Sequence, residues 1–114
     1  MLKHKKSKQT KFTKTESYSP RNQKEKTLVS VFLKLKNGQE VADFLRDLLT
    51  LPEIEEFANR LEIARLLKTG PSYKKIAEQT GVSTTTVTRT AHWLFKGCGG
   101  YWKVLRSNIK KNDI

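Results

Sequence analysis

From Leu28 onward the apolar residues recur in short groups, each closed by residues that stop a helix. Leu28, Val29, Val31, Phe32, Leu33 and Leu35 form a dense first group, which reads as a short, largely buried helix ended by Asn37 and Gly38. The density also suits a strand, but the chain offers no second strand candidate to pair with it. Asn37 with Glu40 has the spacing of an N-cap and its reciprocal partner, and Val41, Phe44, Leu45, Leu48 and Leu49 then recur as a helical stripe. Thr50 with Glu53 repeats the device, with Pro52 in the first turn, where a missing N–H is harmless. The third helix predicted there places Ile54, Phe57, Leu61, Ala64 and Leu67 on one face. Acids cluster near its start and Arg65 and Lys68 near its end, as the helix dipole favours, and Gly70 and Pro71 stop it. The breaks are short and no β period occurs, so the expected fold class is all-α.

The next stretch has a spacing with mechanical meaning. Ser72 is an N-cap for a fourth helix through Thr80. Ala77 is small where two helices cross, Gly81 can take the positive φ of a turn, and Val87 returns to the shared core, with Ile76, Val82 and Leu94 filling other inward positions. Ser83 then caps a helix whose first turn exposes Thr84, Thr85 and Thr86, followed by Thr88 and Arg89. The pattern is that of a helix-turn-helix over about residues 72–95. Short side chains let a backbone sit deep in a major groove, hydroxyls reach base edges or phosphates, and Thr methyls meet thymine methyls. The expected DNA-binding residues are therefore Ser72, Lys74, Lys75, Ser83, Thr84, Thr85, Thr86, Thr88 and Arg89. The same triad occurs by chance in helical hairpins, so the charge of the chain matters to the reading.

The 114 residues carry 23 Lys and Arg against 11 Asp and Glu, a formal net charge of +12, and are enough for one domain. Residues 1–26 hold nine of the cations against two glutamates and few apolar residues, so they are expected to form a disordered basic arm. Residues 27–114 are expected to form the helical domain, whose small core makes pairing with a second chain attractive. With Lys74 and Lys75 on the supporting helix, this balance favours nucleic acid as the partner. No apolar run follows the first basic residues as a secretion signal requires, and none is long enough to span a bilayer. A single cysteine, Cys98, forms no internal disulfide, and with His4 and His92 it makes no recognisable zinc pattern. A soluble cytoplasmic protein is expected, with no metal, no membrane contact and no enzymatic constellation. Two other readings stand beside DNA binding: single-stranded RNA stacked on Tyr73, Phe95 and Trp102, and a protein-interaction adaptor with a basic tail.

The segments FLRDLLT, RLEIARLL, SYKKIAEQTGVSTTTVTR and GCGGYWKVL, between Phe44 and Leu105, resemble the Trp repressor superfamily, and in particular its YerC/YecD-type branch. The resemblance implies a helical fold in which the outer helices of two chains intertwine as a homodimer and the helix-turn-helix units project as reading heads. It also implies a transcriptional regulator, with Gly97, Gly99, Gly100 and Tyr101 forming the turn into a final helix that contributes Tyr101, Val104 and Leu105 to the dimer core. In the tryptophan pocket of the true repressor, Thr50, Arg60 and Arg89 stand at matching positions. Thr90 and Trp93 depart from it, adding bulk where the family has a glycine and removing a serine that holds the ligand's ammonium group. Tryptophan is accordingly not expected as a cofactor. Trp93 is expected in the core or in the vacant pocket, Arg60 paired with an acid such as Glu56, and His92 on the surface.

Overall fold

In a computed structural model describing residues 12–106, the chain is a series of helices joined by short turns, with no strand among those residues. α1 spans Gln23–Phe32, α2 Gly38–Leu48, α3 Leu51–Thr69, α4 Tyr73–Thr80, α5 Thr84–Lys96 and α6 Gly100–Val104. The all-α expectation holds. The first eleven residues of the expected arm, His4 among them, lie outside the described part.

The same local chemistry starts the first three helices. Asn22 accepts from the amide of Glu25 at 3.0 Å, Asn37 from that of Glu40 at 2.9 Å, and Thr50 from that of Glu53 at 3.2 Å. The Glu53 carboxylate completes a capping box by accepting from the Thr50 amide. The Asn22 cap corrects the expected boundary near Lys26, because α1 begins at Gln23, inside the segment taken as a disordered arm. Its first turn is polar and exposed, so it has no hydrophobic period to detect; Asn22 and Glu25 were the legible signal. Tyr18 and Arg21 add to that start, donating to the Glu25 carboxylate at 2.6 and 2.8 Å.

Burial divides the chain. The core consists of Ile63, Ala64 and Leu67 from α3, Ile76 and Ala77 from α4, Val87, Ala91, Leu94 and Phe95 from α5, and Leu105 after α6. Neither α1 nor α2 contains a buried residue. The expectation that the Leu28–Leu35 group is largely buried is therefore corrected: Leu28, Val29, Phe32 and Leu33 are exposed, Leu33 by 85%. α1 meets α2 through the Phe32 and Phe44 rings, edge-on at 5.4 Å, and α2 also touches α3. α3 runs through both regions and changes face as it does so. Phe57 of the expected stripe stays exposed, whereas Ile63, outside that stripe, is fully buried where α4 and α5 approach.

Candidate nucleic-acid interface

Two serines and one glycine shape the helix-turn-helix. Ser72 Oγ accepts from the Lys75 amide at 3.1 Å and starts α4, and Gly81 ends it in the left-handed region at φ 80°. A Cβ at Gly81 meets nothing within 4 Å, so the backbone angle alone selects glycine there. Ser83 Oγ accepts from the Thr86 amide at 3.1 Å and starts α5 two residues after the turn. Val87 and Leu94 seat one side of α5 against α3 and α4, as the spacing predicts, and Ala91 joins them.

On the opposite side Thr84, Thr85, Thr88, Arg89 and His92 are exposed and recur at helical intervals, forming a continuous outward face. Lys74 and Lys75 stand exposed in the first turn of α4, with Glu78 the exposed acid of the same helix. Thr86 is placed differently. It is half-buried, and its hydroxyl lies 3.2 Å from that of Ser83, within the cap. Four expected reading residues, Thr84, Thr85, Thr88 and Arg89, thus share one face, while Ser72, Ser83 and Thr86 hold the helix starts.

Arg60, Arg89, Thr90 and Trp93 line one cleft between α3 and α5, with a volume of about 960 Å³, and Thr86 and Tyr101 share its wall. Thr50, expected with them, does not; it is the cap of α3 and lies away from the cleft. Thr90 is buried and donates its hydroxyl to the Thr86 carbonyl at 3.0 Å, so it offers the cleft no hydrogen bond donor. Trp93 is 55% exposed, which corrects its placement in the core. Its ring stands edge-on to His92 at 5.1 Å and leaves the cleft open, while a Cβ on buried Gly97 would collide with the Trp93 carbonyl oxygen. His92 is at the surface as expected. Arg60 makes no ion pair among the described residues; its guanidinium lies over the Phe57 ring at 5.4 Å. Burial raises the pKa of the Tyr101 phenol, partly opposed by Arg60, so the hydroxyl stays protonated at neutral pH.

The aromatic residues considered for RNA stacking are not assembled into a platform. Phe95 is buried, Tyr73 is packed against the core with its pKa raised by burial, and Trp102 is half-buried beside Phe95 and Phe12. The contacts of Phe12, Thr13 and Thr15 with the end of α5 escaped the sequence reading. Thr13 and Thr15 donate their amides to the carbonyls of Phe95 and Gly97. Phe12 was the available signal, a phenylalanine among the basic and polar residues of that segment.

These elements define a helical domain with a helix-turn-helix whose second helix carries an exposed polar face. The chain belongs to the Trp repressor family: the family model described as Trp repressor protein matches residues 23–109. It is 40% identical over 86 residues to YerC of Bacillus subtilis (strain 168), a protein described as uncharacterized, across 75% of this chain and 82% of YerC. The crystal structure of a TrpR-like protein from Eubacterium eligens ATCC 27750 matches with a TM-score of 0.71 and 36% identity, covering 75% of this chain and 89% of that one. No helix among the described residues is long and apolar enough to cross a membrane.

Proposed function

We propose that the protein is a sequence-specific DNA-binding transcriptional regulator that acts in the cytoplasm as a homodimer and has no catalytic role. The carrying observation is the outward face of α5, where Thr84, Thr85, Thr88 and Arg89 project from a helix whose other side is seated in the core. Thr84 and Thr85 read base edges in the major groove, and Thr88 and Arg89 hold the flanking phosphates. Lys74, Lys75 and the amino ends of α4 and α5 add sequence-independent phosphate contacts. The uncovered apolar surface of α1 and α2 supports pairing with a second copy, which would set two heads about 34 Å apart on a near-palindromic site. Lysines of the amino-terminal arm steepen the salt dependence without altering sequence preference.

Tryptophan is not required in this reading, because Thr90 turns its hydroxyl into α5 and Trp93 stands at the rim of the cleft. Selection from random duplex DNA tests the proposal, and a palindromic motif is the expected outcome. Thr85→Ala should then cost about 1–3 kcal/mol on the selected site and little on random duplex, whereas Lys74→Ala weakens both alike. Equal losses on the two duplexes for Thr85→Ala, or preferential retention of single-stranded RNA, would overturn it.

A further inference from the structure

Helix α5 ends without the left-handed glycine that closes α3 and α4. Gly97 is extended, with φ −96° and ψ −153°, so the chain leaves the helix without folding an amide back onto its last carbonyls. Donors from elsewhere satisfy those carbonyls. The Trp102 indole N–H donates to the Leu94 carbonyl at 2.6 Å, and the Thr13 amide to that of Phe95 at 2.8 Å. The Thr15 hydroxyl donates to the Lys96 carbonyl at 2.8 Å, and the Thr15 amide to that of Gly97 at 3.2 Å. Three of the four donors thus come from a segment 81 or 82 residues away along the chain from the acceptors it meets.

An aromatic contact anchors this segment. The Phe12 ring lies 5.8 Å from that of Trp102, which lies 6.2 Å from Phe95. On α3, Lys68 places its ammonium 4.9 Å over the Trp102 ring and donates to the Leu105 carbonyl at 2.7 Å. The end of α5 is thereby tied to α6 and, through Lys68, to α3. Such support matters to this helix in particular. Five of the seven residues from Thr84 to Thr90 are threonine and another is Val87, all weak helix formers, at an exposed helix start.

We propose that Phe12–Thr15 is a positioning strap for the reading head, capping α5 from outside the helix and holding its end against α6. The inference rests on the DNA-reading role of α5, and the strap acts through that helix without contacting DNA. Because Phe12 and Thr15 are uncharged, Phe12→Ala and Thr15→Val leave the charge of the chain intact.

Amide exchange of the full-length free protein is the deciding measurement. In Phe12→Ala, the Thr13 and Thr15 amides should lose their protection, and the last turn of α5 should exchange about five- to tenfold faster, with α4 unchanged. Thr15→Val should show a smaller change of the same pattern, and Thr15→Ser should restore the parent rates. On the selected duplex, Phe12→Ala should bind about three- to tenfold more weakly with an unchanged slope of affinity against salt. Unchanged α5 exchange in both variants would overturn the strap, as would acceleration spread equally over α4 and α5. A shallower salt slope would also overturn it, since the segment would then be a phosphate contact. Because exchange is read without DNA, a parent protein that selects no duplex sinks the DNA-reading role alone.

Discussion

α2 and α5 are 11 and 13 residues long, and each starts at a polar side chain that accepts from the amide three residues on, yet α5 buries five residues and α2 none. The contrast runs against their compositions. α2 carries a regular stripe of Val41, Phe44, Leu45 and Leu48, whereas α5 opens with a run of threonines. The better amphipathic helix is therefore the less covered one. α5 lies between α3 and α4, which close over Val87, Ala91 and Leu94, while α2 touches α1 and α3 without burying a residue. A stripe records that a helix needs a neighbour, and for α2 the described residues do not fully provide one. The head closes its core within one chain; the layer before it has no buried residue in either helix, and a second copy is proposed to cover it.

The largest expected effect tests the closed half. Leu94→Ala, at a fully buried position, should lower unfolding free energy by about 2–5 kcal/mol, read by denaturant titration of parent and variant at one protein concentration. Leu33→Glu tests the open half. In a lone chain a substitution at so exposed a residue changes stability by no more than about 0.5 kcal/mol. Against a second copy it should cost about 2–3 kcal/mol and shift sedimentation at micromolar concentration from twice the 13.1 kDa chain mass toward the single mass. A parent already at the single mass would end the comparison in favour of a monomer with an exposed layer.

Smaller effects sharpen the boundary between the halves. Gly81→Ala should cost about 1–2 kcal/mol, because the site is roomy and only the left-handed backbone opposes a side chain. Thr50→Ala should cost about 1 kcal/mol through the lost α3 cap and leave any ligand affinity of the cleft unchanged. The smallest effect belongs to α1. Hydrogen bonds from Arg21, first through its side chain, and from Tyr18 lower the Glu25 pKa from 4.5 to about 2. A carboxylate lowered by folding stabilises fully above its ordinary value and loses that contribution as pH falls from about 4.5 toward 2. Helicity in α1 should accordingly be constant from pH 7 to about 5 and decline below about 4.5, and Glu25→Gln should remove that step.

The caps show how far local chemistry carries. Asn37, Thr50, Ser72 and Ser83 each mark a helix start from sequence alone, because a cap bond spans three residues and needs no distant partner. Asn22 obeys the same rule, but the helix it starts opens on a polar turn that carries no hydrophobic period. The turn at Gly81 and the seating of Val87 were equally legible, being set by neighbours within a dozen residues. Trp93 was not: an indole in the middle of an amphipathic helix reads as core, whereas the structure sets it on the wall of the open cleft between α3 and α5.

Sequence alone therefore determined the helical class, most helix starts, the turn between α4 and α5 and the family, since each depends on short-range bonding or on an ordered run of residues. Tertiary structure decided which stripes are covered, that Thr50 stands apart from Arg60 and Arg89, and that Thr86 belongs to a cap while Thr85 faces outward. It also decided that Phe12 and Thr15 close the far end of α5. The physical reason is common to these cases. A hydrogen bond or ring contact across 81 residues leaves no periodic trace in the chain, and burial is a property of two surfaces, of which a sequence pattern describes only one.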